Sequence, residues 1–87
     1  MNEFRLVVAS PNGNIFDGEV AMLIVRGTEG ELAVMAGHAP FVTALVAGDC
    51  RVIFADDTEK NAHVEGGLLS VAKDKVTVLS GSFCWVE

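Results

Sequence analysis

The two histidines are the residues of this chain best suited to act as a general base, a pH switch or a metal ligand. Histidine titrates near neutral pH and also ligates metals through its neutral imidazole. His38 has no second histidine, cysteine or clustered carboxylate beside it in sequence. A corner residue whose ring hydrogen-bonds the backbone is therefore favoured over a catalytic or metal-binding role. His63 lies in an alternating stretch, which predicts a surface or edge position on a strand.

A pair of carboxylates, Glu29 and Glu31, flanks Gly30 and has the residue types of a general acid and base. A hairpin turn at the glycine would instead direct both side chains into solvent, where carboxylates are usual. The spacing therefore leaves two alternatives, an acid–base pair and a solvated hairpin tip, and it favours the tip.

Two other segments share only their composition with ligand-binding motifs. Asp56, Asp57 and Glu59 lack the Asp-x-Asp-x-Asp-Gly spacing and terminal glutamate of a calcium loop. Gly66 and Gly67 precede no helical pattern and do not fit Gly-x-Gly-x-x-Gly, which excludes a phosphate cradle. We therefore expect a solvated loop and a strand break here, with no metal site and no cofactor.

The two cysteines, Cys50 and Cys84, are 34 residues apart and form neither a Cys-x-x-Cys pair nor a zinc spacing. Without a secretion signal, a disulfide is not expected in a reducing compartment. Both lie in strand-like segments. We predict two buried or half-buried free thiols that pack as small hydrophobic groups.

Charge and hydropathy exclude several classes of partner. The net charge is −6 and no two lysines or arginines are adjacent, so nothing provides the basic surface that nucleic acid or anionic lipid requires. The 87 residues predict one domain, residues 1–87, and 51% of them are apolar. That content suits a sandwich core plus an exposed apolar surface that a partner covers.

Membrane insertion and secretion are not predicted. The longest apolar run, residues 20–25, is far shorter than the roughly 20 residues that span a bilayer. The N-terminus has Glu3 and no basic segment followed by a long apolar one, so no signal peptide is visible. We expect a cytoplasmic, bacterial-type location.

The elements that must position these residues are predicted to be strands. Period-two alternation begins at residues 4–9, and turn signals recur every few residues. About ten short segments result, with breaks at Gly48-Asp49 and Gly66-Gly67 among others, and no long stretch has helical periodicity. Many evenly spaced short strands predict an antiparallel sandwich or barrel.

Four motifs in order also resemble a known family. Residues 28–40 have the sequence Thr-Glu-Gly-Glu-Leu-Ala-Val-Met-Ala-Gly-His-Ala-Pro, and an apolar pair followed by x-Gly-x-Val ends at residue 20. Gly-Gly-Leu-Leu-Ser-Val occupies residues 66–71, and Val-Thr-Val-Leu occupies residues 76–79. Together they resemble the epsilon subunit family of F-type ATP synthase, over nearly the whole chain.

The resemblance implies a flattened two-sheet antiparallel β-sandwich of about ten short strands. It implies a non-catalytic subunit of the central stalk, which couples ion-driven rotation to ATP synthesis and hydrolysis and has no small-molecule substrate. Its partners would be the gamma subunit of F1 and the c-ring of Fo, at the cytoplasmic face of the bacterial inner membrane. The motif places the c-ring contact at Glu29, Gly30 and Glu31. It places the gamma contact at Gly37, His38, Ala39 and Pro40.

Members of this family commonly carry a C-terminal helical hairpin, and this sequence stops at Glu87, where the hairpin would begin. We therefore expect a short form without the regulatory helices, either natural or a piece of a longer protein. A ligand or carbohydrate binder would need clustered surface aromatics, and an enzyme would need a catalytic constellation. Two alternatives are open for the single tryptophan, Trp85. It is expected to cap one end of the core, or else to pack on the C-terminal helices of the family, which would leave it partly exposed in this chain.

Overall fold

The computed structural model describes residues 2–86, whose regular secondary structure is β-strand throughout. In that range no helix has the length and apolarity needed to cross a membrane. The eight strands of these residues are β1 (Phe4–Ser10), β2 (Gly13–Val20), β3 (Met22–Gly27), β4 (Gly30–Met35), β5 (Phe41–Ile53), β6 (Glu59–Val71), β7 (Val76–Leu79) and β8 (Cys84–Val86).

The strands form two layers that share their two longest members. β5 and β6 have 13 residues each and pair antiparallel along nearly their whole length. Residues 41–46 of β5 and 66–71 of β6 join β7, β1 and β2 in the first layer. Residues 48–53 of β5 and 59–64 of β6 join β3, β4 and β8 in the second layer. Each of the two long strands therefore passes from one layer into the other.

The predicted all-β sandwich is confirmed, with two differences. The predicted segments are present but form eight strands in residues 2–86, because the ladder continues through Gly48-Asp49 and Gly66-Gly67. Glycine at these points lets a strand bend without ending. The second difference is that β1 and β7 pair in parallel, whereas the other pairings described are antiparallel. A parallel pair needs a long crossover, which the intervening strands provide.

Alternate side chains of both layers point inward and form one hydrophobic core. Leucine and valine dominate it, and branched side chains pack well on a pleated sheet. Each such side chain, when fully buried, stabilises the fold by about 1.5–3 kcal/mol. The largest fully buried aliphatic residues are Leu6, Val8, Val20, Leu23, Val25, Val34, Val52, Val64, Leu69 and Val78.

Four aromatic rings pack against this core as one cluster. Phe16 meets Phe54 and Trp85 edge-on, with ring centroids 6.2 and 5.9 Å apart. Phe83 meets Trp85 at 4.9 Å, and the Lys60 ammonium lies 4.4 Å from the centroid of the Trp85 ring. Such edge-to-face and cation–π contacts add to the area that the rings bury. Trp85 is half-buried and packs against the core.

The two cysteines differ in their environment. Cys50 is fully buried in the core, and burial raises the pKa of its thiol to about 12. Cys84 lies in the short strand β8 and is exposed, so the prediction that both thiols are buried or half-buried was wrong for Cys84. β8 pairs with residues 61–63, and the alternation along this strand directs Cys84 to the solvent side of the second layer.

A close backbone contact defines the bend of β6. A Cβ atom on Gly67 would lie 2.3 Å from the carbonyl oxygen of Leu79, and the φ of Gly67 is 156°. Both facts require glycine at this position. Beside it, the buried Ser80 Oγ donates a hydrogen bond of 2.7 Å to the Gly66 carbonyl. The bend is therefore bonded to the end of β7.

We expect Gly67→Ala to lower the free energy of unfolding by about 2 kcal/mol more than Gly66→Ala does, because only the former methyl group overlaps a backbone oxygen. Gly66→Ala is the matched control, since its φ is 152° and its nearest atom, Leu45 O, lies 3.5 Å from the added Cβ. Urea unfolding followed by Trp85 fluorescence measures both. Equal losses would show that the Leu79 carbonyl does not constrain this site.

Candidate functional site

The first predicted site, at residues 29–31, is the tip of the β3–β4 hairpin. Gly27 pairs with Gly30, so Thr28 and Glu29 form a two-residue connection between the strands. Gly30 has a φ of 118°, which favours glycine. The predicted hairpin turn is therefore present.

Both carboxylates of the tip are exposed, as the solvated alternative requires. Glu31 lies opposite Arg26 in the ladder. Glu31 is also close enough to Arg51 to help raise the pKa of that guanidinium, although Glu59 is the main cause. The Arg51 guanidinium donates to both carboxylate oxygens of Glu59, at 3.3 and 2.8 Å. The tip thus presents negative charge beside a paired arginine.

The second predicted site, at residues 37–40, is an exposed corner between β4 and β5. Gly37 has a φ of 83°, and the His38 amide donates to the Met35 carbonyl at 3.2 Å. His38 Nδ1 lies 3.2 Å from the Ala39 carbonyl oxygen, which can only accept, so this contact places a proton on Nδ1. The ring-to-backbone bond predicted for His38 is confirmed.

Phe41 connects the tip to the corner. The His38 ring packs on the Phe41 ring with centroids 5.1 Å apart. Phe41, Val42 and Thr43 in turn line a shallow groove with Glu29, Gly30 and Glu31. The structure therefore brings the two predicted sites onto one continuous surface, which the sequence motif alone did not show.

An apolar face adjoins this surface on the outside of the first layer. Because Phe41, Thr43 and Leu45 point inward, the alternate residues of β5 point outward. The apolar face consists of Val42, Ala44, Val46, Leu68 and Leu79.

Solvent reaches much of the apolar face, because Val42 is 64% exposed and Leu79 is 45% exposed. The three strand segments that carry it, residues 41–46, 66–71 and 76–79, contain no charged residue. Composition predicted an exposed apolar surface, but the sequence could not locate it because both sides of these strands are apolar.

The outer side of the second layer is charged in contrast. It carries the Arg51–Glu59 pair and His63, whose Nδ1 lies 3.4 Å from Asp49 Oδ1 and whose Nε2 is hydrogen-bonded to Glu65 Oε2. Both contacts raise the pKa of His63, and the hydrogen bond to Glu65 has the larger effect. His63 lies between β5 and β8, so its half-exposed surface position agrees with the prediction but an edge position does not.

Nothing in residues 2–86 groups three or more His, Cys, Asp or Glu side chains around a point where they could hold a metal ion. Around His63 the two carboxylates meet opposite nitrogens of the ring, so they do not converge. The polar loop is likewise self-contained, because Asp56 Oδ1 accepts from the amide and hydroxyl of Thr58. Those bonds lower the pKa of Asp56.

Known proteins resemble the chain in sequence over nearly its full length. The profile of the family described as "ATP synthase, Delta/Epsilon chain, beta-sandwich domain" matches residues 3–86. The chain is 36% identical over 84 residues to the "ATP synthase epsilon chain, sodium ion specific" of Acetobacterium woodii, covering 97% of this chain and 63% of that protein. It is 45% identical over 73 residues to the ATP synthase epsilon chain of Acinetobacter baumannii, covering 84% and 52%.

Solved structures share the fold. A chain of the Euglena gracilis mitochondrial ATP synthase, in an OSCP/F1/c-ring structure, matches with a TM-score of 0.89 and 24% identity, over 95% of this chain and 53% of that one. A chain of the Tetrahymena thermophila central stalk/c-ring structure matches with a TM-score of 0.77 and 15% identity, over 94% and 66%.

The chain spans between about half and just under two thirds of the curated relatives it matches. The family match runs from residue 3 to residue 86, a range that contains the tip, the corner and the apolar strands. The chain belongs to the family of β-sandwich domains of the ATP synthase delta and epsilon chains.

Proposed function

We propose that this chain acts as the N-terminal domain of an epsilon subunit, a non-catalytic part of the central stalk of a rotary ATP synthase. In this role it docks on the gamma subunit and contacts the c-ring, and so helps couple ion-driven rotation to ATP synthesis and hydrolysis. The complex would place it at the cytoplasmic face of a bacterial membrane. Support comes from the relatives named epsilon chain and from the c-ring and central-stalk structures that share its fold.

The observation that carries the proposal is the apolar face beside the corner. Pro40 leads directly into Phe41 and the exposed Val42, so the corner and the apolar face form one surface. A soluble domain rarely exposes such a contiguous apolar surface unless a partner covers it. A stable interface buries about 800 Å² on each partner and has an apolar centre with a polar rim. We assign the gamma subunit to this surface, with Gly37, His38, Ala39 and Pro40 at its rim.

The hairpin tip is the second proposed contact. Glu29 and Glu31 are exposed on a short, well-defined connection, which suits contact with polar loops of the c-ring. Charge pairs at an exposed rim mainly set orientation and rate of association and contribute less to affinity. We therefore expect Glu29, Gly30 and Glu31 to fix the angular position of the domain on the ring.

Binding to gamma is tested by co-elution of the chain with an F1 complex from which the epsilon subunit has been removed. We expect stoichiometric binding of the wild type and binding weakened about 30-fold or more by Val42→Lys, because a charge buried at an apolar centre costs at least about 2 kcal/mol. His38→Ala should weaken binding less, as a rim residue.

Val86→Lys is the matched control, since Val86 is 55% exposed but lies on β8 in the second layer. It should bind as the wild type does. Equal effects of the two lysines would exclude the apolar face as the docking surface. A folded wild-type chain that does not bind F1 would exclude the central-stalk function.

Charge reversal tests the tip. We expect Glu29→Lys/Glu31→Lys to change the free energy of unfolding by less than about 1 kcal/mol, because both side chains are exposed and away from the core. The same variant, assembled into the full synthase, should reduce ion pumping per ATP hydrolysed. Glu29→Gln/Glu31→Gln should show an intermediate effect if charge is the cause. Loss of the melting transition would show that the tip is structural and contradict the c-ring assignment.

A further inference from the structure

One imidazole on the second layer bonds two carboxylates from two different strands. His63 of β6 lies directly opposite Asp49 of β5, and the distance from His63 Nδ1 to Asp49 Oδ1 is 3.4 Å. His63 Nε2 is hydrogen-bonded to Glu65 Oε2, two residues further along β6. The His63 side chain is 44% exposed, so it can exchange protons with solvent.

Only the protonated ring satisfies both contacts. A neutral imidazole has a single N–H, whereas the imidazolium has two, and an ionised carboxylate only accepts. When His63 loses its proton, one nitrogen presents a lone pair to a carboxylate, and that contact becomes repulsive. Both hydrogen bonds therefore form when His63 is protonated, and only one of them forms when it is neutral.

The remaining groups around His63 are few. From β8, Cys84 lies opposite His63 in the ladder. From β3, the Arg26 side chain extends over Gly48, the residue before Asp49. The titratable and charged groups that face the ring are thus Asp49 from β5, Glu65 from β6 itself and the Cys84 thiol from β8, and Arg26 lies over the neighbouring Gly48.

The cluster lies at the point where β5 and β6 cross between the layers. The ladder pairs Val46 with Gly66 and then Gly48 with Val64, so Glu65 falls in the break. The Glu65 amide leaves the ladder and donates to Ser82 Oγ at 2.9 Å, in the segment that leads into β8. Glu65 therefore links His63 to β8: its side chain is bonded to His63, and its amide is bonded to the segment that leads into β8.

We propose that Asp49, His63 and Glu65 form a pH-sensitive latch over the interlayer bend, closed when His63 is protonated and released as the pH rises. The two carboxylates raise the folded-state pKa of His63 above its ordinary value near 6.5. A raised pKa means that the stabilisation is fully present below the unfolded pKa and is lost as the pH rises through the folded one. The bend and β8 are thus held more tightly in mildly acidic than in alkaline solution.

The titration of His63 itself is the first test, measured by NMR of the imidazole on the whole chain. We expect the folded wild type to titrate at higher pH than the urea-unfolded chain. Glu65→Gln and Asp49→Asn should each lower the folded value, Glu65→Gln by more. Identical titration in the folded and unfolded chains would overturn the proposal.

The stability consequence is measured by urea unfolding between pH 6 and pH 8.5. The unfolding constant should rise with pH more in the wild type than in His63→Gln. Over this range the increase in the wild type should exceed that in the variant on the order of threefold, the size expected for exposed ion pairs. His38→Gln removes the other histidine but keeps the latch, so it should retain the wild-type pH dependence. Parallel curves for the wild type and His63→Gln would contradict the latch.

Amide hydrogen exchange locates the effect. After correction for intrinsic exchange rates, protection of the Glu65 amide and of the β8 amides should fall with rising pH in the wild type. In His63→Gln the same protection factors should not change with pH. If the protection factor of the Glu65 amide did not change with pH in the wild type, the latch would not act on the bend.

Discussion

The pairing of β5 with β6 is the interaction on which the rest of the sandwich depends. Every other strand except β2 pairs directly with β5 or β6, or with a strand that does, and β2 is attached through β1. A ladder that runs through both layers can exist only if both strands bend at the same level. Gly48 on one strand and Gly66-Gly67 on the other meet that requirement. The layers are therefore joined covalently and by hydrogen bonds as well as by the core.

The local signals in the sequence predicted most of the strands and turns. Polar and turn-forming segments such as Pro11-Asn12 and Lys73-Asp74-Lys75 do separate strands, because their residues favour turn conformations. Glycine led to the wrong prediction at Gly48 and Gly66, where strand ends were expected, because glycine occurs both at turns and at bends within a strand. The parallel pairing of β1 with β7 had no local signal, because it joins residues about 70 positions apart in the chain.

The candidate site also has parts that the sequence predicted and parts that only the structure shows. Tip and corner were predicted as compact motifs, and each forms from consecutive residues. Their connection through Phe41 depends on how β4 and β5 fold back, which no consecutive motif encodes. The apolar face was not located because Val42 and Leu45 are equally apolar, and only the tertiary structure decides which is covered. Asp49 and His63 are 14 residues apart, so their contact was equally invisible.

The contrast between the two thiols allows the natural chain to be labelled at a single cysteine. A thiol with a pKa of about 12 is almost entirely protonated in neutral solution, and Cys50 is in addition sealed within the core. Cys84 stands in solvent on the layer opposite the apolar face. A maleimide dye will therefore attach at one position without any engineered cysteine. That position reports the orientation of the sandwich in an assembly while leaving the proposed docking surface unmodified.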